Sequence, residues 1–112
     1  MTAAAASSAD DDTDAVLRAL AASHRRAILR LVANDELSAG QIAAEFEITR
    51  PGVSQHLTVL KEAGLVTERR VGTRRLYRAR QEGLSALRAE LEGIWGSALT
   101  AAKALVESDR DR

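Results

Sequence analysis

Arg50, Ser54, Gln55 and Thr58 recur at a spacing that puts them on one flank of a helix whose opposite stripe is Val53, Leu57 and Leu60. Compact hydrogen-bonding groups near a helix N-terminus suit the reading of base edges in a major groove, where bulky apolar groups would block approach. Gln55 is the foremost candidate reader, because a carboxamide can pair bidentately with adenine, and Ser54 suits a phosphate or a base edge at short range. A second group surrounds Gly72: Arg70, Thr73, Arg74, Arg75 and Tyr77. A glycine flanked by arginines can follow a phosphate backbone or enter a minor groove, whose negative potential favours inserted guanidinium groups. The same charges also suit an edge hairpin protected against aggregation, and Tyr77 also suits a core position with a wet hydroxyl.

The formal net charge is zero, with 16 basic and 16 acidic residues in 112, so any anion-binding surface must come from uneven distribution. From Arg50 to Arg80 eight basic residues, Lys61 among them, face only Glu62 and Glu68, a local net of +6. The balancing acids lie elsewhere, as Asp10, Asp11, Asp12 and Asp14 near the start and Glu82, Glu90, Glu92, Glu107, Asp109 and Asp111 towards the end. A cationic segment coinciding with the polar helix flank points to phosphate contact.

Other chemistry is poorly provided for. There is no cysteine, which excludes disulfides, thiolate metal sites and thiol redox sensing. His24 and His56 fall on different helices and read as ordinary side chains, so no metal site and no cofactor are expected. With no phosphate-binding glycine loop either, no nucleophile, base and orienting group assemble, and an enzyme is not expected. At roughly 100° per residue His56 lies about 60° from the buried stripe, between packing and DNA contact. No apolar run approaches the roughly 20 residues of a membrane span, and the start of the chain lacks a signal pattern. A soluble, cytoplasmic protein without membrane contact is expected, nucleoid-associated when bound to DNA.

The positioning elements follow from caps and periodicity. Residues 1–12 offer nothing to bury and read as a disordered tail, as do 108–112, leaving one domain over 13–107. A first helix is expected from about Thr13 to Ala21, with Val16, Leu17 and Leu20 on one stripe. Ser23 is expected to cap a second helix ending near Ala33 or Asn34, with Ile28, Leu31 and Val32 inward and Arg25, Arg26 and Arg30 towards water or a phosphate. Ser38 and Gln41 have capping-box spacing, with Leu37 and Ile42 as a hydrophobic staple, so a third helix spans about Ala39 to Phe46. The device repeats eleven residues on: Thr49 caps a helix with Pro51 in its first turn, and Ile48 packs on Val53. Gly64 supplies a left-handed stop. Val66 to Arg70 and Arg75 to Ala79 read as strands of a hairpin. The fold class is thus mainly α, a winged helix-turn-helix of about five helices and a two-stranded β-hairpin wing.

From about Gly83 to Glu107 a last helix carries Leu84, Leu87, Leu91, Ile94, Ala98, Ala101 and Leu105 in three-four alternation, a heptad seam. Trp95, Leu99, Ala102 and Val106 widen that face beyond what one small domain covers, so part of it should meet another chain. Gly93 and Gly96 each weaken a helix interior by ~1 kcal/mol relative to Ala, which suggests close helix approach or room for the Trp95 indole. Trp95 itself reads either as packed core or as the lining of a small apolar pocket.

The strings SHRRAILRLVA, LSAGQIAAEF, TRPGVSQHLTVLKEAGLV and RRVGTRRLYR resemble the ArsR family of bacterial winged-helix repressors over about residues 14 to 106. The resemblance implies a homodimeric, sequence-specific DNA-binding (auto)repressor. It would grip a palindromic operator in double-stranded DNA with a recognition helix over 50–63 and a wing over 66–79, and leave it when an inducer, here an unidentified small molecule, binds. On matching positions it implies DNA contact by Thr49, Arg50, Ser54, Gln55, His56, Thr58 and Lys61 of the helix and by Arg70, Thr73, Arg74, Arg75 and Tyr77 of the wing. First and last helices would form the dimer interface, through Val16, Leu17, Leu20, Leu87, Leu91, Ile94, Trp95, Ala98 and Leu105. The chain departs from metal-sensing members, which carry cysteines on the third helix or His and carboxylate pairs on the last, and resembles the non-metal branch. The competing readings are a winged-helix protein-interaction module and a nonspecific DNA binder; steep salt dependence separates the first, and discrimination between duplexes the second.

Overall fold

Two stapled and capped starts anchor the centre of the molecule. The computed structural model describes residues 7–110, with side chains from 11 to 108. Ser38 is extended and its hydroxyl accepts from the Gln41 amide at 3.2 Å while the Gln41 side chain accepts from the Ser38 amide at 2.9 Å, opening α3 (Ala39–Phe46). Glu47 closes α3 in the left-handed region, φ 53°. Thr49 then accepts from Gly52 N–H at 3.2 Å and opens α4 (Arg50–Glu62). Gly64, at φ 76°, ends it by donating to the Lys61 carbonyl, and Leu65 N–H returns to the Leu60 carbonyl at 2.9 Å, which turns Leu65 back into the core.

Ahead of these lie α1 (Ser7–Leu20) and α2 (Ser23–Val32); behind them come β2 (Val66–Val71), β3 (Arg74–Ala79), a 3-10 turn (Gln81–Leu84) and α5 (Ser85–Arg110). Val53, Leu57 and Leu60 of α4 join Ile28 and Val32 of α2, Ile42 of α3, Val16 and Ala19 of α1, and Leu65, Val66, Tyr77 and Leu87 in a single core.

Several boundaries depart from the sequence reading. α1 begins at Ser7, so residues 7–12 are helical rather than tail; the run of aspartates there lies in the first turns, where negative charge favours the positive helix end. Residues 1–6 lie outside the described residues. At the other end α5 continues to Arg110, past the expected stop near Glu107, and 111–112 lie outside the described residues. Ser23 does not cap α2: Ala22 occupies the capping position with no side-chain hydrogen bond, and Ser23 is the first helical residue.

Arg25 and Arg26 do not point to a phosphate but back onto α1. Arg25 donates to the carbonyls of Ala19 and Arg18, at 2.7 and 3.1 Å, and Arg26 to that of Leu20 at 2.7 Å. Cationic donors thereby satisfy the free carbonyls at the negative end of α1.

The wing is one edge of a three-stranded antiparallel sheet, because Leu37–Ser38 form a short β1 beside β3, giving the order β1-β3-β2. Leu37 stands opposite Tyr77 and Ser38 opposite Leu76, so the residue that caps α3 also ties that helix to the wing. Val71 pairs with Arg74, leaving only Gly72 and Thr73 in the turn, with Gly72 at φ 63°.

Gly83 is the most tightly confined glycine: a Cβ built there would lie 2.2 Å from the Gly64 carbonyl oxygen, in backbone and not a yielding side chain. Gly83→Ala should therefore destabilise the protein by about 1–3 kcal/mol as the 3-10 turn is pushed off the end of α4. Urea unfolding checks this, and a value within ~0.5 kcal/mol of the native protein would show that the contact yields freely.

Candidate nucleic-acid interface

With Val53, Leu57 and Leu60 inward, the helical period leaves Arg50, Ser54, Gln55, Thr58 and Lys61 exposed along α4. A groove runs between this flank and the wing, lined by Ser38, Ala39, Arg50, Ser54, Thr73, Arg74, Arg75 and Tyr77. It continues along α4 past Thr58, Lys61, Glu62 and Glu68. The Arg50 guanidinium lies over Gly40 at the start of α3, where even an added Cβ would sit 3.4 Å from it. The groove thus combines hydrogen-bonding side chains on one wall with arginines on the other.

Not every residue of the expected contact set is equally free. The Thr49 hydroxyl accepts from Gly52 N–H in capping its own helix and keeps its proton to donate, whereas the Thr58 hydroxyl donates to the Ser54 carbonyl at 3.0 Å and keeps only acceptor capacity for an outside partner. Tyr77 is a core residue, 9% exposed, whose ring floors the groove instead of projecting from the wing. Gln55 and Ser54 are exposed, as are Thr73 and Arg74 at the wing tip. Arg74 donates to the Gln41 side-chain oxygen at 3.4 Å, so the glutamine that completes the α3 cap also steadies a wing arginine.

His56 departs furthest from the recognition set. Half-buried, it faces α2, where Arg25 Nη1 lies 3.4 Å from its Nδ1 and its ring meets His24 edge-on at 5.7 Å between centroids. Packing neighbours on α2 decide this, since His56 sits where the exposed flank turns towards the core. Nothing in the local pattern signals that the two histidines, 32 positions apart, meet. Among the described residues no group of three or more His, Cys, Asp or Glu could hold a metal.

Acidic partners sort the cations. Glu36 takes Arg69 in a two-pronged pair at 2.6 and 3.0 Å, and the Arg69 hydrogen bond holds its carboxyl below the usual carboxylate range. Glu68 pairs with Lys61 at 3.2 Å and approaches Arg75 at 3.7 Å. Among the described residues Arg50, Arg70 and Arg74 have no such acid, and all three border the flank or the wing. Neither Glu36 nor Glu68 was singled out from sequence as a partner, because both pairs join residues distant in the chain or on opposite elements.

The residues expected at an interchain contact divide similarly. Val16 and Leu87 are buried in the protomer's own core, and Leu20 packs against it. Leu17, Leu91, Ile94, Trp95, Ala98 and Leu105 are exposed, with Trp95 at 64%. Trp95 is therefore not packed core; it borders a shallow groove with Leu84, Leu87 and Leu91. Gly93 and Gly96 have nothing within 4 Å of an added Cβ, so they make no room for the indole within one protomer.

Residues 20–69 match the family model described as a helix-turn-helix domain. The chain is 45% identical over 98 residues to the HTH-type transcriptional regulator Rv2034 of Mycobacterium tuberculosis, covering 88% of this chain and 92% of that protein. It is 39% identical over 57 residues to the transcriptional repressor SdpR of Bacillus subtilis, covering 51% of this chain and 63% of that one. Among solved structures it is similar to the homodimeric winged helix-turn-helix DNA-binding domain of Mb0332 from Mycobacterium bovis, described as a possible ArsR-family transcriptional regulator. There the TM-score is 0.63 at 35% identity, over 77% of this chain and 80% of that one.

Partial burial, reinforced by the Arg25 guanidinium and the His24 ring, holds the His56 imidazole below its usual value of 6.5. A group harder to protonate folded than unfolded leaves stability untouched above the unfolded value and lowers it as pH falls from there towards the folded one. Urea unfolding across a pH series should show stability declining below about pH 6.5, with that part of the decline missing in His56→Gln. Equal pH slopes in the two proteins would detach His56 from this effect.

Proposed function

This chain belongs to the ArsR family of winged helix-turn-helix transcriptional regulators, and from that premise we propose that it is a homodimeric repressor binding a palindromic operator, including one in its own promoter. The observation that carries this reading is the open polar flank of α4, Arg50, Ser54 and Gln55, facing a cationic wing across a continuous groove. On this reading α4 enters the major groove, with Gln55 at a base edge and Ser54 at a base edge or phosphate. Arg50, Lys61, Arg70, Arg74 and Arg75 hold the backbone, and the Gly72–Thr73 tip follows the adjacent minor groove. Occupancy of a promoter excludes polymerase without any catalysis.

Twofold operators require two α4 helices held about one helical turn of DNA apart, roughly 34–36 Å between half-sites. α5 supplies the means, for Leu91, Ile94 and Leu105 lie exposed along one stripe of a 26-residue helix. Covering that stripe with the same stripe of a second copy removes it from water. Gly93 and Gly96, open within one protomer, then permit close approach of helix backbones. Among the described residues no helix is long and apolar enough to cross a membrane, and a regulator of this kind works in the cytoplasm, on the nucleoid. Without any cysteine, a releasing signal has to act other than through thiolate-bound metal.

Selection of bound duplexes from random DNA by the purified protein tests specificity, palindromy and half-site spacing together; an unbiased pool after selection would reject sequence-specific regulation. On selected duplexes Gln55→Ala should cost about 1–3 kcal/mol and relax preference at one position per half-site, whereas Arg74→Ala should weaken matched and mismatched duplexes alike and flatten the salt slope. Identical behaviour of the two variants would dissolve the division between reader and anchor. Ile94→Glu places a charge in the proposed seam and should shift sedimentation from dimer to monomer; an unchanged dimer would remove this face of α5 from the interface.

A further inference from the structure

On the wing, Arg70 and Arg75 stand directly opposite each other on β2 and β3, and Glu68 and Tyr77 form the neighbouring cross-strand pair on the same face, with Glu68, Arg75 and Tyr77 lining the groove. Like charges opposed across a ladder repel and call for an anion between or beside them. Lys61, from the last turn of α4, reaches the same place. The anion present is Glu68, with its side chain only 18% exposed, paired to Lys61 at 3.2 Å and to Arg75 at 3.7 Å. The Lys61 hydrogen bond and the charges of Lys61, Arg75 and Arg70 hold its carboxyl below the usual range, so it is ionised at neutral pH.

Resting on the DNA-binding reading above, we propose that Glu68 is a built-in stand-in for a DNA phosphate: it neutralises Lys61 and Arg75 in the free protein and competes with the backbone for them when a duplex docks. A carboxylate fixed among these cations acts like a permanently bound counterion. It removes one net positive charge from the surface that phosphates meet, whatever the base sequence. Glu68 thereby tempers affinity for every duplex equally and shortens the time spent on each, leaving discrimination to the α4 side chains that meet bases.

The experiment measures affinity against salt for the native protein, Glu68→Gln and Glu62→Gln, on a selected duplex and on an unrelated one of equal length. Glu62 is the matched control, an exposed acid in the same groove with no ion pair among the described residues. Glu68→Gln should bind both duplexes about three- to tenfold more tightly at low salt, with their ratio unchanged and the slope of log K against log salt steeper by about one. Glu62→Gln should move much less. Glu68→Asp, whose shorter side chain retracts from Lys61, should change affinity in the same direction by a smaller factor, and thermal melting by circular dichroism establishes that each variant is folded. Equal effects of Glu68→Gln and Glu62→Gln would reduce Glu68 to bulk charge, and weaker binding by Glu68→Gln would make it a strut that positions the cations; either overturns the proposal. Failure of the native protein to bind either duplex with salt-dependent affinity would overturn the DNA-binding reading itself, a separate result.

Discussion

Burial of Val53, Leu57 and Leu60 on one stripe of α4 decides what the molecule shows to the outside. Once those three are locked against α2 and α3, the helical period leaves no freedom over the opposite flank, and Arg50, Ser54 and Gln55 face solvent in fixed order. Caps at Ser38 and Thr49 set where the two helices begin, and the left-handed Glu47 sets the turn between them. The wing depends on the same arrangement: β1 follows directly from the Ser38 cap and pairs with β3, so the sheet takes its position from α3. Ordinary packing at the centre therefore aims both walls of the groove.

Charge placement adds a second layer. A chain with no net charge presents a cationic groove because many of its acids lie in α1 and α5, away from the wing. Glu36 and Glu68 stand closer and pair with particular bases, so the bases counted in sequence are not equivalent. Arg69 is pinned by two hydrogen bonds towards the β1 side of the sheet, while Arg70, the next residue, faces α4. Strand alternation separates the two neighbours into a structural and an available cation.

Features that depend on local chemistry were legible in the sequence: the capping box at Ser38 and Gln41, the Thr49 cap, the Gly64 stop, and the inward stripe of α4. Features set by distant neighbours were not. A two-residue β1 has no periodicity to detect and exists only because β3 lies beside it. The helical period leaves His56 between packing and DNA contact, and the Arg25 and His24 side chains beside it on α2 decide for packing. Arg25 and Arg26 looked like solvent or phosphate contacts until the α1 carbonyls supplied partners six and seven residues away. Ser23 failed as a cap because the extended residue between α1 and α2 is Ala22, a difference of one position that side-chain preference alone does not resolve. Val16 of α1 and Leu87 of α5, chosen for periodicity, belong to the protomer's interior, because an apolar stripe shows which residues must be covered and not whether the cover is the same chain or another.

The backbone contact between Gly83 and Gly64 sits at the root of α5, whose 26 residues run about 39 Å at 1.5 Å per residue. Over that length a tilt of only about 5° swings the free tip by about 3 Å, comparable to the 3.4 Å step between stacked base pairs along one strand. Angular precision at the pivot is therefore translated into linear precision far away, and two side-chain-free residues pressed together give a joint with no rotamers to slacken it.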